Sequence, residues 1–256
     1  MALPTKLVIL PCHSIWRGGS GHGEARDEWE LADFQIQGYD HLCFKDHIHR
    51  SIEYTQTHPE AYLVISGGQT KPKCGPISEA QSYYQLATKL YPGFDFTRST
   101  TEEFARDSFE NVLFLMCRFF EVHGKYPESV VVVGFEFKKD RFVRLHLQQA
   151  LRFPVGNVEY IGNLPEPRDL DEAETRSYFD DLHRSEFKHA VAPFQSDWYG
   201  NQQVLLKKKS ARNPFNRTHG YRISNPELGG FLDAITTSSS SATVSEFLDG
   251  VSWVGQ

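Results

Sequence analysis

A short apolar run that ends in a pair of glycines constrains the fold of this chain more than any other feature. The run is AYLVISGG, residues 61–68. Leu, Val and Ile follow one another without polar alternation, which predicts a strand buried on both faces, as in a parallel sheet. Ser78 and Gln81 match a capping box and predict that a helix begins there. A buried strand, a glycine turn and a capped helix form half of a βαβ unit, and ligands of such sheets bind at the carboxyl ends of the strands.

Other segments alternate between strand and helix patterns in the same way. Strand patterns lie at residues 6–10, 62–65, 96–100, 129–133 and 158–161, and helical patterns at 28–36, 41–57, 78–91, 103–122, 142–151 and 171–189. This alternation predicts an α/β fold, a Rossmann-like three-layer α/β/α domain with a mainly parallel sheet, over residues 1–190. Residues 191–256 are expected to form a less regular C-terminal extension on the same domain, with a mobile Ser-rich segment near 237–242.

Composition excludes several classes of protein. The 256 residues carry a net charge of −6, which argues against nucleic acid as a partner, because such partners need a basic face. The four cysteines are scattered and form no CxxC pair, so no zinc finger is expected and a reducing compartment fits best. The apolar run near the N-terminus is too short for a signal peptide or a membrane span. These features predict a soluble cytoplasmic protein.

Two motifs resemble binding sites but have the wrong spacing. Gly19, Gly21 and Gly23 suggest a dinucleotide fingerprint, yet the first of them lies nine residues after Leu10, outside the tight strand–helix turn that such a site needs. A glycine loop is the simpler interpretation. His47 and His49 fall on opposite faces of a helix, so no metal is predicted there.

Polar side chains follow the ends of four predicted strands, and parallel strands bring these ends to one edge of the sheet. The candidate catalytic residues are His13, Glu79 and Glu110, and the candidate ligand-binding residues are Arg17, Ser66, Gly67, Gly68, Gln69, Asn111, Lys138 and Arg141. Together they predict a mixed site of carboxylates, cations and backbone amides.

An anionic group has two kinds of partner in this set. The backbone amides of Gly67 and Gly68 are candidates for holding a phosphate or a carboxylate. Lys138 and Arg141 offer charge-assisted hydrogen bonds to the same anion. The basic run at residues 207–209 is interpreted instead as a solvated face, with only a weak phosphate or nucleic-acid alternative.

Proton transfer is the second chemistry that the candidates offer. Glu79 and Glu110 are candidates for a general base or for binding a ribose hydroxyl or an ammonium, and His13 for moving a proton. Each has a structural alternative. A carboxylate at Glu79 stabilises the start of a helix in any case, Glu110 lies inside a helix where most glutamates are solvated, and a single histidine is more often part of a core or loop.

The ordered set of motifs resembles the domain-of-unknown-function 218 family, the SanA/ElyC/YdcF-like group. The resemblance covers roughly residues 6–162, and the closing segment is similar to the eukaryotic, mostly fungal, branch. The matching positions are Ser66-Gly67-Gly68, Ser78-Glu79-Ala80, Glu110-Asn111 and Arg141. The resemblance implies a Rossmann-like fold and nucleotide-like ligands, S-adenosylmethionine among them.

This sequence departs from that family in two ways. It lacks the membrane helix that is common in bacterial relatives, so an envelope role does not transfer. It has Phe137-Lys138 where they have Tyr-His, and a lysine there favours anion binding over base catalysis.

Three hypotheses about function therefore stay open. The first is an enzyme, a hydrolase or transferase acting on a phosphorylated or nucleotide-like small molecule. The second is a non-catalytic module that binds a metabolite such as S-adenosylmethionine, and the third is a structural protein with a vestigial site. The sequence leaves the substrate and the oligomeric state open.

Overall fold

Five parallel strands form a sheet in the order β3-β2-β1-β4-β5. The computed structural model describes residues 3–237 and 240–254. The strands are β1 (Lys6–Pro11), β2 (Ala61–Ser66), β3 (Ser99–Glu102), β4 (Ser129–Phe135) and β5 (Val158–Asn163). From β1 the chain first builds outward to β3, and then returns to place β4 on the other side of β1. In sheets of this kind the loops diverge where this direction reverses, here at the carboxyl ends of β1 and β4, and ligands bind at that point.

Helices cover both faces of the sheet and complete the predicted three-layer architecture. One face carries α1 (Asp40–Thr57) and α2 (Glu79–Leu90), and the other carries α3 (Ser108–His123) and a π-helix (Arg141–Ala150). Along β1, Leu7 and Ile9 pack towards α3, while Val8 and Leu10 pack towards α1. Each such buried aliphatic side chain contributes about 1.5–3 kcal/mol, so both faces hold the sheet. The predicted α/β, Rossmann-like class is confirmed.

Two helical predictions were wrong in extent, and side-chain hydrogen bonds explain why. Residues 28–36 form only two short 3₁₀ turns, because Glu28 accepts hydrogen bonds from the amides of Gly21 (2.7 Å) and Gly23 (2.5 Å) and so holds the glycine loop. The helix predicted from residue 103 begins at Ser108, where the Asp107 carboxylate caps it.

One long helix and a series of shorter ones form the C-terminal part of the chain. The long helix is α4 (Glu172–Glu186), and the shorter ones are α5 (Ala192–Ser196), α6 (Gln203–Ala211), α7 (Tyr221–Ser224), α8 (Gly229–Ala234) and α9 (Ser241–Ser245). Tyr199, Phe231 and Trp253 share one buried cluster with α3. No helix of the described part of the chain is long and apolar enough to cross a membrane.

The predicted Ser-rich segment near 237–242 lies partly outside the described residues, which omit 238 and 239. Its remaining serines take part in helix α9. Ser240 accepts a hydrogen bond from the amide of Thr243 and caps the helix, and Ser241 is buried.

A buried lysine joins the C-terminal extension to the start of α3. Lys209 of α6 is 4% exposed, and its Nζ lies 3.4 Å from Asp107 and 3.3 Å from Glu110. It also donates to the carbonyl of Tyr199 at 2.7 Å. The interpretation of residues 207–209 as a solvated face was therefore wrong for Lys209, whose charge balances two buried carboxylates.

Replacing Lys209 by Met is expected to lower the free energy of unfolding at pH 7 by about 3–5 kcal/mol, because it leaves buried carboxylates without their cation. Urea denaturation measures the change. Lys207→Met, on the exposed side of the same helix, is the matched control and is expected to stay within about 0.5 kcal/mol of the native protein. Equal effects of the two changes would contradict the structural role of the pair.

Candidate functional site

The carboxyl edge of the sheet brings four of the predicted residues into one region. His13 follows β1, Glu79 begins α2, Lys138 lies in the exit of β4, and Arg141 begins the π-helix. The charge of Lys138 acts on both His13 and Glu79, and that of Arg141 acts on His13 and Lys138. Elements distant in sequence therefore share one electrostatic environment at this edge.

The backbone amides of Gly67 and Gly68 join the turn after β2 to the end of β3 and the loop that follows it. The amide of Gly67 donates to the carbonyl of Glu102 (3.0 Å), and that of Gly68 donates to the carbonyl of Ala105 (2.8 Å). A Cβ at Gly68 would lie 2.7 Å from that Ala105 oxygen, so glycine is needed for the close approach. Because both amides are occupied, the expectation that they bind an anion was wrong.

Glu79 is buried in the first turn of α2, where the Thr70 hydroxyl donates to its carboxylate. Burial raises the pKa of Glu79, against the opposing influence of the Thr70 hydrogen bond and of the cations Lys71, Arg212 and Lys138. A buried carboxyl group with a raised pKa is a candidate for proton transfer.

The loop of residues 69–77 closes beside Glu79. Gln69 donates from Nε2 to the carbonyl of Pro76 at 2.7 Å, so its amide holds the loop rather than projecting towards Lys138. The side chain of Gln69 therefore connects the two ends of this loop through a hydrogen bond.

Glu110 forms ion pairs with two neighbouring cations, Arg106 and Lys209. Its carboxylate accepts from Arg106 Nε (2.9 Å) and Nη2 (2.6 Å) and lies next to Lys209. Burial alone would raise the pKa of Glu110, but Lys209 and Arg106 hold it at about 2. Such a carboxylate is a poor base at neutral pH, so its position favours a structural role.

Ser66 and Asn111 belong to a second buried network. Asn111 donates from Nδ2 to the carbonyl (3.1 Å) and the hydroxyl (3.0 Å) of Ser66, and Ser66 donates to Glu102 at 2.7 Å. Burial raises the pKa of Glu102 to about 7. These groups join β2, β3 and α3 behind the edge, and their polar atoms are engaged with one another.

His13 lies against the rings of Phe44, His47 and Phe135. Its Nε2 is buried and has no hydrogen-bond partner among the described residues. Burial, followed by the charge of Lys138, lowers the pKa of His13 well below its ordinary value. The imidazole is therefore neutral at pH 7 and keeps one nitrogen free for a proton or a ligand atom.

Two residues of α1 that the sequence patterns did not select face the same region. Asp40 is buried with Oδ1 unpartnered, and burial raises its pKa to about 7. His47 is fully buried, its Nε2 lies 2.6 Å from Asn163 Oδ1, and burial lowers its pKa to about 4. Only the packing of α1 on β1 and β4 brings them to the site, and no local pattern marks them.

Four cations converge on this edge from two parts of the chain. Lys138 and Arg141 come from the exit of β4, and Lys208 and Arg212 from the end of α6. Burial, and then the charge of Arg141, lowers the pKa of Lys138 to about 8, with a further contribution from Arg212. Burial and the charges of Arg212 and Arg141 also lower the pKa of Lys208. Arg141 and Arg212 thus act on both Lys138 and Lys208, while Lys208 and Arg212 donate hydrogen bonds to the carbonyls of His189 and Arg106.

Lys138 is the cation of this set without a fixed partner. Its Nζ lies 4.7 Å from the ring centroid of Phe135 and 5.4 Å from that of Phe137, and it makes no hydrogen bond or ion pair within the described ranges. Arg141 instead pairs with Glu186 of α4, with Nε 2.9 Å from Oε1. The edge thus offers a half-buried ammonium with free donors.

Arg17 lies apart from this cluster. It donates from Nη2 to the carbonyl of Trp29 (2.9 Å), pairs with Glu30 (3.3 Å), and lines a surface cleft of about 560 Å³ with Lys73 and Cys74. None of its hydrogen bonds or ion pairs reaches Glu79, Lys138 or Arg141. Within the described ranges, no group of three or more His, Cys, Asp or Glu side chains is arranged to hold a metal ion.

The fold and this edge define a parallel α/β protein with a cation-rich polar site at the carboxyl ends of its strands. The chain belongs to the same family as a Saccharomyces cerevisiae protein named "Uncharacterized protein YOR238W". The two are 37% identical over 261 aligned residues, which cover 84% of this chain and 86% of that protein. No family model and no solved structure matches the chain.

The lowered pKa of Lys138 predicts an amine that reacts at unusually low pH. Competitive labelling with acetic anhydride, read by peptide mass spectrometry, is expected to give a midpoint near pH 8 for Lys138. A midpoint for Lys138 in the ordinary range of lysine amines, near about 10.4, would contradict the crowding of cations at the site.

The lowered pKa of Lys138 also predicts that this lysine destabilises the folded state at neutral pH. Its pKa is lower in the folded than in the unfolded chain, so the cost of burying the ammonium is complete below pH 8 and is relieved between about pH 8 and 10.5. Lys138→Met is therefore expected to unfold at higher urea at pH 7, with a gain of about 1–3 kcal/mol that disappears above pH 10.5. A loss of stability at pH 7 would oppose this interpretation.

Proposed function

We propose that this protein binds a small anionic molecule, phosphorylated or nucleotide-like, at the carboxyl edge of its sheet, and that it hydrolyses this molecule or transfers a group from it. The convergence of Lys138, Arg141, Lys208 and Arg212 carries the proposal. Holding these cations together is unfavourable without counter-charge, and among the described residues the carboxylate paired with one of them is Glu186 of α4, which contacts Arg141. A bound anion offsets that cost through charge-assisted hydrogen bonds.

Two groups beside the cations support chemistry rather than binding alone. Glu79 has a raised pKa and accepts a hydrogen bond from Thr70, and His13 is neutral with Nε2 free. In this proposal the cations hold the negative charge that develops on the ligand, while Glu79 activates water or a hydroxyl group. Glu110 and the Gly67-Gly68 amides have structural roles in the proposed mechanism.

The same cations speak against the alternative of a module for S-adenosylmethionine. That molecule carries a sulfonium and an ammonium against one carboxylate, so its net charge is positive and a cation-rich edge disfavours it relative to a phosphorylated ligand.

Membership of the domain-of-unknown-function 218 family and a cytoplasmic location remain part of the proposal. The location is supported by free cysteines at positions 12, 43, 74 and 117, which suit a reducing compartment.

A thermal-shift series tests the binding step. Inorganic phosphate, pyrophosphate, AMP, ATP and a sugar phosphate are compared, at matched ionic strength, with uncharged adenosine and with S-adenosylmethionine. A ligand at 100 times its Kd stabilises by about 2.7 kcal/mol, which raises Tm by about 5–10 °C for a chain of this size. Phosphorylated compounds are expected to give such shifts and adenosine none.

The control for this series is a pair of lysine variants. Lys138→Met is expected to lose the shift relative to its own ligand-free Tm, and Lys207→Met to retain it. The proposal fails if no phosphorylated compound raises Tm, or if both variants respond alike. A shift from S-adenosylmethionine alone would favour the binding module.

Glu79→Gln tests the catalytic step. Mass spectrometry of each stabilising ligand after incubation shows whether it is consumed. If Glu79 is the base, the Gln variant loses about 100-fold or more in turnover, while Tm stays nearly unchanged because the amide oxygen still accepts from Thr70. A large fall in Tm would instead make Glu79 structural.

A further inference from the structure

Ser108 and His146 form a hydrogen-bonded pair beside Arg141. The Ser108 Oγ lies 2.8 Å from His146 Nε2, and Arg141 donates from Nη1 to the same Oγ at 3.2 Å. Ser108 is the first residue of α3 and is half-buried. The hydroxyl therefore lies between a histidine nitrogen and one of the four cations at the carboxyl edge.

The hydroxyl of Ser108 is not needed to start α3. Asp107 is the N-cap, and its Oδ1 accepts the hydrogen bond from the amide of Glu110 at 2.8 Å. A serine next to a cap commonly serves the helix terminus, but here that role is filled by its neighbour. Among the described residues, the hydroxyl instead forms hydrogen bonds with two side chains of the π-helix, His146 and Arg141.

His146 occupies a position that an apolar side chain would fill more easily. It is 0% exposed and its ring contacts those of Phe109, Phe142 and Phe194, with the last centroid 4.5 Å away. Its Nδ1 is buried with no partner within the described ranges. Leaving a buried polar nitrogen unpaired costs about 1–3 kcal/mol, so packing alone does not account for a histidine here.

The surroundings also keep His146 in the form that accepts a proton. Burial, assisted by the charges of Arg141 and Lys209, lowers the pKa of His146 well below its ordinary value. One ring nitrogen of the neutral imidazole therefore carries a lone pair. The tautomer with that lone pair on Nε2 points it at the Ser108 hydroxyl.

We propose that Ser108 is a nucleophile with His146 as its base, and that it attacks the phosphorus of a phosphate ester held by Arg141. This inference rests on the anion binding proposed above, because it uses the same cations. It adds a covalent step in which Ser108 and His146, rather than a nucleophile activated by Glu79, carry the reaction. Arg141 is suited to stabilise negative charge that grows on the phosphoryl oxygens.

With a phosphate monoester, Ser108 Oγ forms a bond to phosphorus while its proton passes to His146 Nε2, and the bond from phosphorus to the leaving alcohol oxygen breaks. His146 returns the proton to that oxygen. Water then attacks the phosphoserine and gives its proton to His146, and Ser108 leaves with that proton, so inorganic phosphate and free enzyme are restored.

Diisopropyl fluorophosphate tests the nucleophile directly in the full-length protein. A nucleophilic serine displaces fluoride from this probe, and peptide mass spectrometry locates the product. We expect one diisopropylphosphoryl group on Ser108 and none on the exposed Ser210, whose hydroxyl donates to the carbonyl of Leu206. Ser108→Ala is expected to remove the labelling. Absence of label on Ser108 after prolonged exposure to excess probe would overturn the inference.

His146→Phe separates a base from a packing residue. Phenylalanine suits the aromatic surroundings but accepts no proton, so the labelling rate at Ser108 is expected to fall at least 10-fold with Tm held or raised. An unchanged rate would reject His146 as the base. Should this variant unfold, the pH profile of labelling in the native protein decides, since a base that is neutral at pH 7 predicts a rate that does not fall between pH 7 and 6.

Competition by inorganic phosphate tests whether Ser108 and the cation cluster belong to one binding site. It is expected to slow labelling of Ser108 in the native protein, and to lose this effect in Arg141→Ala. If phosphate raises Tm but Ser108 stays unmodified, the anion site stands and the nucleophile is wrong. If Ser108 is labelled but no phosphorylated compound affects Tm or labelling, a phosphate ester is wrong as its substrate.

Discussion

The buried ion contact of Lys209 with Glu110 and Asp107 links the two parts of this chain. It places the end of α6 against the start of α3, in a setting where removal of the lysine would leave two buried carboxylates uncompensated. The charge of Arg212, just past the end of α6, acts on Glu79 and Lys138, and the charge of Arg141 acts on Lys208 of that helix. The C-terminal extension therefore supplies part of the candidate site, and the cation cluster depends on a contact that lies behind it.

The two candidate carboxylates at this edge, Glu110 and Glu79, have different environments and therefore different proposed roles. Glu110, with its pKa held at about 2, is occupied by Arg106 and Lys209, whereas Glu79, with a raised pKa, faces cations without a direct ion pair. The two carboxylates looked equivalent in the sequence. Their environments separate them, because one lies within an ion network and the other is buried next to a hydroxyl group.

Arg141 connects the proposed binding site to the proposed nucleophile. Its guanidinium reaches Glu186 of α4 through Nε and Ser108 of α3 through Nη1. In these two proposals an anion bound to Arg141 would compete with Glu186 and would lie against the Ser108 hydroxyl. Binding and reaction would then share one side chain, which makes the geometry of Arg141 the common element of both proposals.

Local patterns determined the class of fold and the edge at which chemistry is placed. Unbroken apolar runs at β1, β2 and β4 require burial on both faces, and the alternation with helices requires parallel strands. From this alone His13, Glu79, Lys138 and Arg141 could be assigned to one region. These residues directly follow strands or begin helices, so their positions depend on short-range structure.

Tertiary packing decided the rest of the site. The amides of Gly67 and Gly68 are occupied by carbonyls of another segment, and Lys209 is buried although its neighbours in sequence are charged. Asp40, His47, Ser108 and His146 acquire their environments only when α1, α3 and the π-helix pack on the sheet. Hydrogen-bond partners and desolvation depend on contacts between segments far apart in the chain, and such contacts leave no periodicity or spacing in the sequence.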